Sequence, residues 1–386
     1  MRLAIITTHP IQYYAPVFKL LNEQPGVSIR VFYTWGEKAK DKFDPGFGKK
    51  INWDIPLLQG YDYEWVKNTS GDPGTHHFRG VINPELIDCI NLWQPDALLV
   101  FGWAFQSHFK VMRYYKNKLP VYFRGDSTLL DVPNGIKSFL RSVLLRWVYR
   151  HIDHAFYVGT NNKAYFKKHG LVDEHLTFAP HAVDNNRFAA KNNDGALKLR
   201  QSLGIADGDA LVLFAGKFEE KKSPMILLNA FLTLSEPGIH LLFVGDGILE
   251  NPLKTQASAG KNIHFMSFQN QLAMPAIYQA CDLFCLPSKG PGETWGLAVN
   301  EAMAAGRPVL VSNKVGCAAD LVIPGFTGDV FDSENLSDIT KKLRVLINDR
   351  PQLKTLGINA KKQIACWNFD VQVAAIINRL KTINAN

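Results

Sequence analysis

An α/β protein of two domains is the fold class this sequence predicts, on three observations. Short apolar runs that read as buried strands alternate with longer amphipathic segments that read as helices, the pattern of parallel-sheet folds. The chain has 386 residues, long enough for two domains. One stretch, 282–312, contains a whole strand, Gly-rich loop, helix, strand unit.

Composition narrows the class. Hydrophobic residues make up 46% of the chain and charged residues 20%, the usual globular balance. No apolar run approaches the roughly 18 residues that a spanning helix needs. The N-terminus enters an apolar strand, Leu3 to Ile6, at once, so no signal peptide is expected. Cys89, Cys281, Cys285, Cys317 and Cys366 are scattered and odd in number. No second Cys/His pair completes a zinc site with Cys281 and Cys285. All five are expected to be reduced, mostly core residues of a cytoplasmic protein. The net charge of +8 favours anionic partners: nucleotides, anionic lipid or acidic glycans. The basic residues are dispersed and no recognition motif is visible, so nucleic acid is not expected.

Taken in order, Arg2–Thr8 reads as the first strand, Tyr13–Glu23 as an amphipathic helix and Ser28–Trp35 as the second strand. The loop His9-Pro10-Ile11-Gln12 lies at the carboxyl edge of the first strand, where α/β sheets bind ligands. His9 and Gln12 are therefore site candidates; a histidine capping the next helix is the plainer alternative. Residues 36–80 are aromatic, charged and rich in Gly and Pro, without periodicity. They read as a long excursion from the first domain, either functional or an irregular surface insertion. Helix Pro84–Trp93, strand Ala97–Gly102, a helix near Gln106–Asn117 and strand Val121–Arg124 resume the alternation. Arg124 and Asp126 follow one another at that strand's end, as site residues or as each other's ion-pair partner. The long helix Ile136–Ile152 carries Lys137, Arg141, Arg146 and Arg150. At about 100° per residue, Lys137 and Arg141 fall in its apolar arc and Arg146 and Arg150 opposite. The basic stripe is thus broken, which favours a packed helix with snorkelling ends over a membrane-surface helix. Strand His154–Val158 and helix Asn161–His169 close the domain.

Ala189–Gly195 is small and polar, a reasonable boundary. Strand Leu211–Ala215 then runs into Gly216-Lys217-Phe218-Glu219-Glu220-Lys221-Lys222. Cations at a strand's carboxyl end suit a diphosphate, although residue type alone does not separate Lys221 from Lys222. Strand His240–Val244 ends in Gly245-Asp246-Gly247; strand Ile263–Phe268, helix Leu272–Ala280 and strand Asp282–Pro287 follow. The loop after that strand holds Gly290, Pro291, Gly292 and Glu293. Leu297–Ala305 consists of good helix formers, Gly306 suits a left-handed cap and Pro308 stops the helix. Val309–Ser312 is the next strand. A helix beginning just after a strand offers N–H groups and a positive dipole end and attracts phosphate. Glu293 lies just before that end and Glu301 about two turns beyond. Carboxylates accept bidentate hydrogen bonds from adjacent sugar hydroxyls, though a solvated glutamate is the commoner case. Helices Leu336–Asn348 and Gln352–Cys366 and the amphipathic Trp367–Ile383 complete the chain.

Glu293 to Val309 reads ETWGLAVNEAMAAGRPV. It resembles the signature of the retaining glycosyltransferases of family 4, a glutamate, seven residues and a second glutamate within E-x-F-G-L-x-x-x-E-A-M-A-x-G-x-P-V. Trp295 stands in the aromatic slot. Pro180 to Asp184, with Phe188 four residues on, resembles the family's P-N-G-V-D-x-x-x-F linker. Gly216 to Lys222 resembles G-R-[LI]-x-x-x-K, with Lys217 for the arginine and Lys222 as the matching lysine. Many members carry a histidine facing the donor sugar where Asp126 stands here. Val315-Gly316-Cys317 departs from the usual V-G-G, which narrows the expected donor pocket.

The resemblance implies the GT-B fold: two Rossmann-like α/β domains facing a central cleft, with a C-terminal helix crossing back to the first. The domains expected are 1–188, binding acceptor; 189–366, binding a nucleotide sugar; and 367–386, the crossing helix. The implied reaction is retaining transfer from a nucleoside diphosphate sugar, most commonly UDP-linked, to a glycan or lipid-linked glycan of surface polysaccharide or glycoconjugate synthesis. No metal and no cofactor are expected, and the location implied is the cytoplasm or the membrane's cytoplasmic face. By the same resemblance Glu301 holds the ribose. Glu293, with the backbone N–H groups of Thr294, Trp295, Gly296 and Leu297, holds the donor sugar. Lys217, Lys222, Gly216 and the helix end stabilise the departing diphosphate; Phe268 and Gln269 border the base. Asp126 sits at the reacting sugar, and His9, Gln12 and Arg124 lie on the acceptor side, with 36–80 as an acceptor-side lid. Two alternatives are a sugar-nucleotide 2-epimerase of the same fold, which is not expected to carry this Glu pair, and a catalytically silent sugar-nucleotide binder. A glycosidase, which also uses paired carboxylates, has no use for a diphosphate site. The positive charge leaves a peripheral contact with an anionic membrane open.

Overall fold

In the computed structural model the apolar runs of the sequence become the central strands of two parallel sheets. The residues described are 1–37, 43–44, 49–50, 52–132, 135–234 and 236–385. Strands are β1 Arg2–Thr7, β2 Ser28–Tyr33, β3 Phe43–Asp44, β4 Lys49–Lys50, β5 Asp62–Trp65, β6 Ala97–Phe101, β7 Val121–Arg124, β8 His154–Tyr157 and β9 Leu176–Phe178. They continue with β10 Ala210–Ala215, β11 Ile239–Val244, β12 Ile263–Met266, β13 Leu283–Leu286, β14 Val309–Ser312 and β15 Gly328–Phe331. The first sheet runs β5-β2-β1-β6-β7-β8-β9 and the second β12-β11-β10-β13-β14-β15, while β3 and β4 form a short antiparallel pair.

The chain divides into two compact units. One comprises the described residues of 1–42, 51–181 and 369–386; the other comprises 182–368 with the β3–β4 pair. In each, strands such as β6 and β10 are buried along their whole length, as expected of a parallel sheet covered on both faces. In the first unit, Leu3, Ile5, Val31 and Leu99 form a core with Phe18 and with Val373, Ile376, Ile377 and Leu380. Those last four lie on the C-terminal helix Phe369–Lys381. Their helical spacing makes one apolar stripe, so this helix is an integral layer of the first unit. Burying such a side chain contributes about 1.5–3 kcal/mol.

Both sheets place a switch in strand order where the site lies. The strands β11 and β13 flank β10, and β2 and β6 flank β1. Successive crossovers therefore leave to opposite sides at β10/β13 and at β1/β6, opening a crevice at the strands' carboxyl ends.

The structure departs from the sequence expectations in several places. The polar stretch Ala189–Gly195 is the end of one helix, Asn185–Ala189, and the start of another, Asn193–Ser202. The Asp184 and Asn192 side chains accept hydrogen bonds from the backbone N–H groups of Arg187 and Gly195, and these caps favour helices despite the polar composition. Of the excursion 36–80, residues 38–42, 45–48 and 51 lie outside the described residues. The remainder holds edge strand β5 and a loop tied by Asn68 Nδ2 donating to the Gly80 carbonyl, 2.9 Å. The helix Ile136–Tyr149 packs on one face through Leu145, Val148 and Tyr149. Ile136, Phe139, Leu140, Val143, Leu144 and Trp147 are exposed. The expected packed helix is thus packed on one face only. Among the described residues no helix is long and apolar enough to cross a membrane.

Candidate functional site

In the second unit, the loops after β10 and β13 leave adjacent strands and are tied together, the Lys289 N–H donating to the Lys221 carbonyl at 2.9 Å. Lys222 and Glu293 meet there, Nζ to Oε2 2.5 Å, with side chains 19% and 7% exposed. The Ser288 hydroxyl donates to the same Oε2 at 2.9 Å. The ambiguity between the two lysines is resolved by this geometry. Lys221 turns outward to Glu219 at 3.4 Å, whereas Lys222 sits against a buried carboxylate. An ammonium has three donors, so Lys222 can hold Glu293 and still serve an incoming phosphate oxygen.

Gly296 begins the helix Leu297–Ala304 in a left-handed conformation, φ 97°. A Cβ there would lie 2.8 Å from Val315 Cγ1, so only glycine turns the chain from loop to helix at this spot. Glu301, on the second turn, is buried and accepts a hydrogen bond from the Tyr278 hydroxyl at 2.8 Å. That bond fixes its rotamer. Trp295 faces inward: its indole N–H donates to Asn300 Oδ1 at 2.8 Å and its ring packs on Trp367. Only its backbone is therefore available to a ligand. Thr294 and Trp295 are clamped from below, because the Gly316 and Cys317 N–H groups donate to the Glu293 and Trp295 carbonyls at 3.0 and 2.9 Å. A Cβ at Gly316 would stand 1.8 Å from the Thr294 carbonyl oxygen. Cys317 is fully buried, and burial, then the nearby Glu293 charge, holds its thiol well above the ordinary range.

Gly216 and Lys217 follow β10, half-buried. The β10 and β11 turns interlock: the Gly216 N–H donates to the Val244 carbonyl, and a Cβ at Gly245 would lie 2.0 Å from the Gly216 oxygen. Phe268 is drawn to the same edge by its N–H donating to Asp246 Oδ1, 3.1 Å; Gln269 beside it folds its amide onto the Ser267 carbonyl.

The first unit presents a second group at its own carboxyl edge. Arg124 is buried and donates to the Ala179 and Pro180 carbonyls at 2.8 and 3.0 Å. Burial lowers its pKa to about 10, opposed by Tyr14 and Asp126. It therefore tethers β7 to the segment after β9, and its guanidinium is not presented to a ligand. Asp126, 46% exposed, lies 3.8 Å from the Nε2 of His181. His181 is a residue that sequence reasoning treated only as linker. Burial lowers its pKa, and its bond to Asp126 raises it. Tyr14 joins the group; burial, then Asp126, raises its phenol to about 12. His9 bonds Thr8 Oγ1 through Nδ1 at 2.9 Å and packs edge-on to Trp35. Gln12 is half-buried on the same loop. The switch at β1/β6 also brings in the loop after β6, Gly102-Trp103, which the sequence reading passed over; a strand end beside the first strand was the signal for it.

One trio among the described residues, Asp72, His76 and His77, brings potential metal-ligand atoms within 4.8 Å of one another. It lies on the loop between β5 and the helix Leu86–Trp93 and includes none of the residues above.

Known proteins resemble the chain in sequence and in fold. Residues 196–363 match the family model described as glycosyl transferases group 1. The D-inositol 3-phosphate glycosyltransferase of Nocardia farcinica is 28% identical over 215 residues, 52% of this chain and 46% of its own. The Arabidopsis thaliana sulfoquinovosyl transferase SQD2 is 28% identical over 199 residues, 51% of this chain and 38% of its own. The chain thus aligns with half or less of these curated relatives. The crystal structure of Anabaena Alr3699/HepE in complex with UDP and glucose superposes with a TM-score of 0.73 over 99% of this chain and all of that one, at 17% identity. Residues 196–363 thus match the glycosyl transferases group 1 family model, and the two parallel-sheet α/β units have the fold of GT-B glycosyltransferase structures.

Proposed function

We propose that this protein is a retaining glycosyltransferase that moves a sugar from a UDP-linked nucleoside diphosphate sugar to a glycan or lipid-linked glycan acceptor. The observation that carries the reading is the buried Lys222–Glu293 pair at the start of the helix Leu297–Ala304. Cation, carboxylate and helix end then converge where a sugar diphosphate has its charge and its hydroxyls. UDP bound to Alr3699/HepE and the glycosyltransferase names of the relatives support the donor class.

In this reading Glu301, held by Tyr278, accepts the ribose hydroxyls. Glu293 and the backbone N–H groups of 294–297 orient the donor sugar; Gly216 lets the backbone approach the diphosphate, and Phe268 and Gln269 border the base. Lys217 and Lys222 stabilise charge on the departing diphosphate, a role that grows toward the transition state and replaces a divalent metal. Asp126, beside His181, takes the catalytic role that the resemblance implies, and His9 and Gln12 serve the acceptor side. The protein works in the cytoplasm.

A silent nucleotide-sugar binder is the second reading, favoured by the engagement of Asp126 with His181. Incubation with UDP-sugars, with and without glycan acceptors, separates the two. Acceptor-dependent UDP release with the sugar recovered on the acceptor supports transfer. Tight UDP-sugar binding without release supports the binder, and a donor isomerised at C2 supports an epimerase.

A further inference from the structure

We propose that the exposed face of the helix Ile136–Tyr149 docks the first unit onto an anionic lipid surface, with the helix lying along the headgroup layer. The helix has two apolar faces. Leu145, Val148 and Tyr149 anchor it to the first unit's core, and Ser142 bonds His169 at 3.2 Å on the same side. On the opposite side, Ile136, Phe139 and Leu140 are 79%, 68% and 61% exposed, and Val143, Leu144 and Trp147 continue the stripe. At about 100° per residue these six fall on one arc. Lys137 borders it on one side and Arg146 on the other, while Arg150, the residue that caps the helix C-terminus, falls within the arc at its end. All three are exposed. From the neighbouring helix Gln106–Tyr115, Arg113 stacks over the Trp147 ring at 5.8 Å.

Charge decides what covers this face. No acidic residue occurs between Asp131 and Asp153. An apolar stripe flanked by cations, with an aromatic at its edge, is the pattern of an interfacial helix: the stripe enters the acyl boundary while the cations meet anionic headgroups. A second copy of the chain fits less well. A two-fold interface places the same patch on both partners and would set these arginines and lysines against one another. With 14 residues, the helix is about 21 Å long at 1.5 Å per residue, short of the roughly 30 Å hydrocarbon core. It lies on the bilayer and does not span it. This inference stands whether or not the transfer reading does.

The test is vesicle flotation of the full chain. Binding is expected to phosphatidylcholine vesicles containing phosphatidylglycerol, and at least about tenfold weaker binding to pure phosphatidylcholine or at high salt. The double variant Phe139→Glu, Val143→Glu should lose binding to both. Lys137→Glu with Arg146→Glu should lose only the preference for the anionic lipid. All four positions are exposed, and an unchanged circular-dichroism melting curve of the full chain checks that each variant is folded. The proposal is overturned if the wild-type chain does not float, or floats equally with both double variants. It is also overturned if light scattering shows a dimer that Phe139→Glu, Val143→Glu converts to monomer while flotation is unaltered.

Discussion

The carboxyl edges of the two sheets invite comparison, because both sit at a switch in strand order yet are furnished differently. In the second unit, Lys222, Glu293 and Glu301 are drawn inward, each paired or hydrogen-bonded by a neighbour from another element. In the first unit the arginine is committed to backbone carbonyls, and Asp126 remains nearly half exposed against a buried histidine. The second edge is preorganised around a fixed pattern of charge, as a site for one invariant chemical moiety should be. The first edge keeps its acidic group accessible, as suits a surface that meets a variable partner. On the proposed reading the invariant moiety is the nucleoside diphosphate and the variable one the acceptor.

The sharpest way to break this contrast is to push on the clamp beneath the motif loop. Gly316→Ala drives a Cβ into the Thr294 carbonyl oxygen. Overpacking of this kind costs about 3 kcal/mol or more when backbone must move. The second unit should melt earlier and lose UDP-sugar binding. Gly292→Ala, at φ 91° but in open space, should cost only about 1–2 kcal/mol. Equal effects in calorimetry would mean that the clamp does not organise the loop.

Acid separates the units next. Burial lowers His108 to about 4, opposed by the Gly102 and Phe101 carbonyls, and His154 and His169 also sit near 4. All three are in the first unit. Their folded values lie below the ordinary 6.5, so the unfolded chain takes up the proton first. Stability is retained above about pH 6.5 and lost as pH falls toward 4. His108, fully buried, accounts for about 3 kcal/mol of that loss. Hydrogen exchange between pH 7 and pH 5, corrected for intrinsic rate, should show β1 and β6 losing protection before β10 and β13. Simultaneous loss, or loss in the second unit first, would contradict this.

The third test concerns ligand affinity. Glu301→Ala removes hydrogen bonds to a charged group, worth about 1.5–3 kcal/mol, so UDP should bind about 10- to 100-fold more weakly. Asp126→Asn should leave UDP affinity within about twofold while lowering acceptor-dependent turnover. A fall in UDP affinity for Asp126→Asn equal to that for Glu301→Ala, by calorimetric titration, would erase the distinction between the two edges.

The sequence carried the central strands, because runs such as Ala97–Phe101 are apolar on both faces and need no partner to be read. Edge strands β5, β9 and β15 escaped because Asp62–Trp65 and its counterparts need bury only part of their surface, which removes the apolar run. The motif at 293–309 was legible because its residues are contiguous. Residue type alone did not say which lysine faces Glu293, since adjacent residues on a short turn point apart only once the fold is set; only the spacing of the motif marked Lys222. His181 was hidden for another reason: its partner Asp126 is 55 positions away, as the two residue numbers show, and nothing local links them. The helix Ile136–Tyr149 misled because two apolar faces on one helix look like a single wide one until packing covers just one of them.

The most direct test of the central claim is UDP-sugar turnover in Lys222→Ala beside Lys221→Ala. These two substitutions are one position apart and chemically identical. If the buried pair forms a diphosphate site, Lys222→Ala should lose about 100-fold or more in kcat/KM, about 2.7 kcal/mol or more, and Lys221→Ala should stay within about twofold, as exposed ion pairs allow. Equal losses, or full turnover in Lys222→Ala, would contradict the account.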